Sequence, residues 1–357
     1  MSRRTPRIIL HAGFPKCAST SIQVALSQER QPLAERGIYC FDRNMNIDPA
    51  TAVGMPIWHV EAARKTGALL SAQIAEVVAD APHGDLPTVP ETLILSAENL
   101  AGRDCPRLFL GLDDIFEVEV RLYFRPQAAW IVSAWKQFEI PRGKPLTTFV
   151  ENCLHSGEPN FFAKAKAWQS ALPESRVRVT PLIPEVLLGG RPESDFFSSF
   201  GADDILPGTP LHENASFDHS ILHVLRSNPH LMEGRDVNQT YSAIVDAVPA
   251  EYRSVNIRML DQETIRHIER RYRGENIALL STFGDMELTD AARFHDRHFV
   301  TPSVDGESYT TATDGGINAR AAQILSATLG NLDPADPISG LLRDLATAAS
   351  AGSEVPT

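Results

Sequence analysis

Short apolar runs alternate with longer stretches of helical periodicity through the first half of the chain. Arg7–Ala12 sets Ile8, Ile9 and Leu10 together ahead of a glycine, which predicts a buried strand. Gly13–Ser19 is a turn of mostly small residues. Thr20–Glu35 then carries Ile22, Leu26 and Leu33 on one side of a helix that stops before Gly37. Pro56–Ala81 reads as one long helix, with proline at its start and Pro82 just past its end. Three further strands are predicted at Glu91–Ala97, Glu117–Phe124 and Arg176–Pro181. Their apolar cores, separated by helical stretches, predict an α/β fold of three layers, a central parallel sheet flanked by helices. From about Asp195 the pattern is mostly helical, at Asp195–Phe200, Phe217–Ser227, Gln262–Tyr272 and Asn276–Phe283, with no internal repeat. Residues 301–316 read as a turn-rich loop, and 350–357 as a frayed tail.

The chain has 357 residues, 43% of them apolar and 22% charged, which suits a globular protein and neither a disordered nor a collagenous one. Its net charge is −12, from 33 Lys and Arg against 45 Asp and Glu. That sign opposes bulk nucleic-acid binding and adhesion to anionic membranes, so any anionic ligand needs a local cluster of donors. Cys17, Cys40, Cys105 and Cys153 are far apart, with neither a Cys-x-x-Cys pair nor histidines at zinc spacing. No apolar run is long enough for a signal-peptide core or a membrane span. A reduced, cytoplasmic protein without membrane insertion is the expectation.

The first loop changes this general picture. It reads His11-Ala12-Gly13-Phe14-Pro15-Lys16-Cys17-Ala18-Ser19-Thr20-Ser21. A small-residue loop between a buried strand and a helix presents backbone N–H groups to an anion, and the helix dipole adds about half a positive charge. Lys16 adds a full charge, and Ser19, Thr20 and Ser21 add hydroxyls that could equally cap the helix. A solvated lysine beside capping serines would show the same pattern. The loop is not a nucleotide-triphosphatase loop: Ala18 and Ser19 stand where the second glycine and the lysine would fall.

The stretch His11 to Gln23 resembles the 5′-phosphosulfate loop of sulfotransferases that use 3′-phosphoadenosine 5′-phosphosulfate (PAPS), commonly H-x-G-x-P-K-[TS]-[GA]-[TS]-[TS]-x-[IL]-Q. His11, Gly13, Pro15, Lys16, Ser19, Thr20, Ile22 and Gln23 match. Cys17 departs by losing a hydroxyl, and Ala18, often glycine in the family, disfavours a positive φ. A second stretch, Tyr123 to Gln137, resembles the family's 3′-phosphate motif, an arginine at a strand end and a serine on the following helix. Here these are Arg125 and Ser133, eight positions apart. A guanidinium fork suits a phosphate monoester, although Arg125 paired to a carboxylate and Ser133 facing solvent would read alike. Leu93–Leu100, Asn160–Trp168, His212–Ser216 and Glu275–Gly284 follow the order of bacterial members more diffusely. The resemblance spans roughly residues 7–300.

It implies a P-loop-type sulfotransferase domain over 1–332, with its core sheet in about 7–185 and a helical, substrate-side portion in about 186–300. A C-terminal helix and tail follow at 333–357. PAPS would be held by Gly13, Pro15, Lys16, Cys17, Ala18, Ser19, Thr20, Ser21, Arg125 and Ser133. The reaction would be in-line sulfuryl transfer to a hydroxyl of a carbohydrate or small metabolite, with Lys16 neutralising the leaving phosphate oxygen. For the base there are two candidates. Glu98 follows a strand and could instead accept backbone N–H bonds, and His59 could simply be a half-buried helical histidine. His11 lies too near the core to be a base. Trp58, Trp130 and Trp135 fit core positions better than ligand contacts. Acceptor-side loops fall at 42–60 and 139–160; the acceptor and the oligomeric state are not written in the chain. The alternatives are a nucleotide-dependent phosphotransferase on a related loop fold and a nucleotide-binding relative without chemistry.

Overall fold

The structure, a computed structural model, describes residues 5–49, 55–81, 86–205, 218–252, 259–301, 308–309 and 314–353. The stretch His212–Ser216, most of the loop 301–316 and the tail beyond residue 353 lie outside the described residues. Five strands form one sheet: β1 (Arg7–Ala12), β2 (Ile38–Cys40), β3 (Thr92–Ala97), β4 (Val118–Phe124) and β5 (Arg176–Pro181). Their order is β2-β3-β1-β4-β5, and every described pairing is parallel. The chain is therefore α/β with a central parallel sheet.

β1 lies in the middle because it is apolar on both faces. Ile8, Leu10 and Ala12 face one side and Ile9 and His11 the other, all of them buried. From β1 the chain crosses to β2 at one edge, whereas from β4 it crosses to β5 at the other. Connections that diverge this way open a crevice at the carboxyl ends of β1 and β4, the usual place for a ligand in an open α/β sheet.

Helices cover both faces. α1 (Ser19–Gln28), α2 (Arg30–Ala34) and α8 (Pro192–Ser198) bury Ile22, Leu26, Leu33, Phe196 and Phe197 against Ile9, Ile94 and Tyr123. On the opposite face α7 (Phe161–Ala171) sets Phe161 5.6 Å from Phe124 and Trp168 5.3 Å from Phe109 (ring centroids). His11, fully buried, shares a 2.7 Å hydrogen bond between Nδ1 and the Ser96 hydroxyl and packs against Tyr123 and Phe196. Burial pushes its pKa down to about 3, so it is a neutral core residue.

Several local expectations differ from the structure, and the helices expected at Gln262–Tyr272 and Asn276–Phe283 are one continuous helix, Gln262–Phe283. The helix expected over Pro56–Ala81 is two, α3 (Ile57–Thr66) and α4 (Leu70–Asp80), because Gly67 takes φ 74° and ends the first. The helix expected over Thr20–Glu35 likewise breaks at Glu29 into α1 and α2. β2 has only three residues, too few to show a period, and escaped the sequence reading. Of the tryptophans, Trp135 is fully buried but Trp58 is 82% exposed, so it is not a core residue.

The chain divides into two compact units, the first comprising residues 1–126, 160–211 and 272–299 and the second 127–159, 212–271 and 300–357. The sheet belongs to the first, as does α12 (Leu288–His298). The second is helical. It holds α5 (Gln127–Phe138), α6 (Leu146–Ser156), α9 (His219–Ser227), α10 (Val237–Ala247), α13 (Asp314–Asn331) and α14 (Ser339–Ser353). α11 spans Gln262–Phe283. Within the second unit buried Asp218 accepts from the Ser220 backbone N–H and hydroxyl and from the Arg320 guanidinium, tying α9 to α13. Burial pushes that carboxyl up, but hydrogen bonds from His219, Arg320 and Ser220 outweigh it and hold the group well below the usual carboxylate range. Among the described residues no helix is long and apolar enough to cross a membrane.

Phe196 contacts His11, Tyr123 and Phe200 and is fully buried. Phe196→Ala is predicted to lower stability by about 3–5 kcal/mol, read as an earlier midpoint in urea denaturation.

Candidate functional site

At the carboxyl end of β1 the chain is squeezed between β3 and α1. The Gly13 N–H donates to Ala97 O at 3.2 Å, and a Cβ on Gly13 would lie 2.8 Å from Ser19 Cβ and 3.2 Å from Glu98 Cα. Only glycine fits there. The Cys17 N–H bonds back to Phe14 O at 3.1 Å, closing the loop. Gly13 and Cys17 therefore use their amides internally, and the N–H groups that remain without intrahelical acceptors are those of the first turn of α1, Ser19, Thr20 and Ser21. The helix starts without a side-chain cap, because Ala18 occupies the N-cap in a left-handed conformation and the Ser21 hydroxyl turns back to Ala18 O at 3.1 Å. Ala18 thus adopts the positive φ, 61°, that its Cβ disfavours, and Lys16 does the same at 63°. Two left-handed non-glycine residues in one loop cost about 1–2 kcal/mol each, strain of the kind that gathers at functional sites.

This loop brings together most of the residues singled out above. Ser19 donates its hydroxyl to the Glu98 carboxylate. Glu98 opens a 3-10 turn, Glu98–Ala101, directly after β3, so it stands beside the loop rather than capping a helix. Burial pushes its pKa up, opposed by the Ser19 hydrogen bond and by Lys16. Lys16 is moved the other way, its pKa lowered by burial and by Arg125 and raised by Glu98. Arg125, just past β4, is thus an electrostatic neighbour of Lys16, and its Nε is buried with no hydrogen-bond partner among the described residues. Its backbone N–H donates to the sulfur of Cys17, a wholly buried thiol whose pKa burial pushes up to about 12. Cys17 therefore fastens the loop to the end of β4 as a neutral group.

One residue of this cluster was missed by the sequence reading. Lys164 of α7 lies with its ammonium 5.8 Å from the centroid of the Phe14 ring and acts electrostatically on Cys17. Nothing local marks it, since it is one of two lysines on a helix remote in sequence. The loop thus has Lys16 and Arg125 as electrostatic neighbours beside the half-buried Glu98 carboxylate, with Lys164 near Phe14 and Cys17.

Other expected site residues stand elsewhere or are less engaged. His59 on α3 shares a 2.7 Å hydrogen bond with Gln73 of α4. Its nearest link toward the site is indirect: Asn99, next to Glu98, donates to Ile57 O at 2.8 Å. Thr20 is exposed at the first turn of α1, and Pro15 is half-buried in the loop. Ser133 lies two turns into α5, half-buried, in the second unit. The chain matches no family model, no curated protein and no solved structure.

The raised pKa of Glu98 means that the folded state holds the proton more tightly than the unfolded chain. That contribution favours folding at low pH and is lost as pH rises from the ordinary glutamate range through the higher folded value. Glu98→Gln, which removes the ionising group, is predicted to gain thermal stability relative to wild type as pH is raised from 4 to 8. Melting temperatures across that range check it.

Proposed function

We propose that the chain is a PAPS-dependent sulfotransferase of the P-loop type, acting in the cytoplasm on a hydroxyl acceptor such as a carbohydrate or small metabolite. The reading is supported above all by one observation. Lys16 and Arg125, which the two motif resemblances single out independently, are electrostatic neighbours at the crevice between β1 and β4, and Arg125 carries a buried, unpartnered Nε. Neighbouring cations in a half-buried setting call for an anion, and the first turn of α1 offers backbone N–H groups beside them.

In this reading the first-turn amides of α1 hold the 5′-phosphate end of PAPS. Lys16 meets the charge that grows on the leaving phosphate oxygen, and Lys164 adds a second cation on the α7 side. Arg125 grips the 3′-phosphate with its planar donors. Transfer is an in-line displacement whose barrier falls mainly through positioning and charge stabilisation. Glu98, beside Lys16 and with its pKa raised by burial, is the base for the acceptor hydroxyl, and this geometry favours it over His59. The four cysteines are free and buried, which suits a reducing compartment.

Calorimetry with 3′-phosphoadenosine 5′-phosphate in the absence of metal tests the binding half, with Mg-ATP as the competing ligand. Tight binding of the former supports the reading; preference for Mg-ATP points to a phosphotransferase and overturns it. Lys16→Ala is predicted to reduce sulfate transfer from radiolabelled PAPS by ~10²–10³. Arg125→Ala is predicted to weaken 3′-phosphoadenosine 5′-phosphate by roughly 10–100-fold, the size of one lost charged hydrogen-bonding group. Cofactor binding with no transfer to any hydroxyl acceptor would mark a nucleotide-binding protein without chemistry.

A further inference from the structure

Away from the Lys16 loop, the first unit contains a polar cavity of about 450 Å³ with β4 and β5 as its floor and the end of α8 and the end of α11 as walls. It shares no lining residue with the loop, Glu98 or Arg125. On the floor Arg121 and Arg178 are register partners on adjacent parallel strands, so their side chains emerge on the same face, side by side. Burial lowers the pKa of Arg121; Glu119 and Tyr123 oppose this, and Arg178 adds to it, a direct sign that the two guanidinium groups repel one another. Arg121 is ion-paired with Glu119 and Arg178 with Asp285. A guanidinium has five N–H donors, more than one carboxylate can take, and both arginines line the cavity.

The α8 wall has the opposite character. The Ser198 hydroxyl donates to Asp195 O at 2.8 Å and the Ser199 hydroxyl to Phe196 O at 2.6 Å. Their hydrogens are committed to the backbone, so toward the cavity both oxygens can only accept. Asp195 accepts from the Tyr123 hydroxyl at 2.7 Å through one carboxylate oxygen, and its other oxygen adds to the acceptor wall.

We propose that this cavity binds a small hydroxylated oxyanion, a sugar phosphate or a sugar acid. Its anionic group sits between Arg121 and Arg178, and its hydroxyls donate to Asp195, Ser198 and Ser199. An uncharged sugar would leave the two guanidinium groups repelling one another. A bare inorganic anion would face Asp195 and Asp285 with at most an acidic P–OH or two in place of a sugar's several hydroxyls. Both halves of the ligand are needed, and the volume is within the range of small-ligand sites. The inference does not depend on the sulfotransferase reading.

Calorimetric titration of the full chain with glucose 6-phosphate, gluconate, inorganic phosphate and glucose tests it. Glucose 6-phosphate or gluconate should bind more tightly than either single-feature probe, and the preference between those two tells a phosphate from a carboxylate ligand. Arg178→Gln should weaken that binding by roughly 10–100-fold, as for the loss of a charged donor. Arg178→Lys, which keeps the charge for Asp285, should fall in between, and Lys16→Ala should bind as wild type does. Melting temperatures of the variants establish that they are folded. Absence of binding by both sugar anions, inorganic phosphate binding as tightly as glucose 6-phosphate, undiminished binding in folded Arg178→Gln, or loss of binding in Lys16→Ala would each overturn the proposal.

Discussion

At Gly13 the chain leaving β1 passes so close to Ser19 and Glu98 that no side chain fits between them. That approach is possible because β1 is held on both sides by parallel ladders, to β3 and to β4, and buried on both faces. Its carboxyl end has no freedom to move away. The loop that follows must turn within a few residues into α1, and it does so through two left-handed residues, Lys16 and Ala18. Packing elsewhere sustains that strain: Cys17 is buried against the backbone of Arg125, and Phe14 packs 4.9 Å from Phe161 of α7 (ring centroids). The position of Lys16 follows from these contacts more than from any preference of its own.

The electrostatics of the loop follow from the same crowding. Burial destabilises the charged forms of both Lys16 and Glu98, and each partly restores the other. Arg125 adds a second cation beside Lys16. A protein of net charge −12 repels anions at long range, so affinity for one has to come from such a desolvated cluster, where Coulomb interactions are screened less than at the surface. The half-buried Glu98 carboxylate offsets part of that positive charge.

The polar cavity over β4 and β5 rests on the same strands but on a different principle. There each cation is paired with a carboxylate, and arginines on the floor stand opposite hydroxyl and carboxylate oxygens of the α8 wall. β4 serves both places. Arg121 points to the α8 face in the middle of the strand, whereas Arg125 follows its carboxyl end. Four positions on one chain segment thus separate the polar cavity from the Lys16 loop cluster.

Four of the five strands, the burial of His11 and the placement of Gly13, Lys16 and Arg125 just past strand ends were legible in the sequence. Each rests on a local signal: an apolar run, a small-residue loop, a basic residue at a strand end. Breaks at Gly67 and Glu29 were less visible, because a hydrophobic period continues across a kink, and β2 was too short to have a period at all. The sequence by itself also determined the charge balance and the absence of zinc-type cysteine spacing. Only the tertiary structure decided that Lys164 joins the loop, that the Cys17 thiol is buried against the Arg125 backbone, that Trp58 is exposed and that Arg121 and Arg178 lie side by side. These outcomes depend on strand register and on which helix covers which face. Contacts between residues tens of positions apart are set by packing, and no local pattern of apolar and polar residues encodes them.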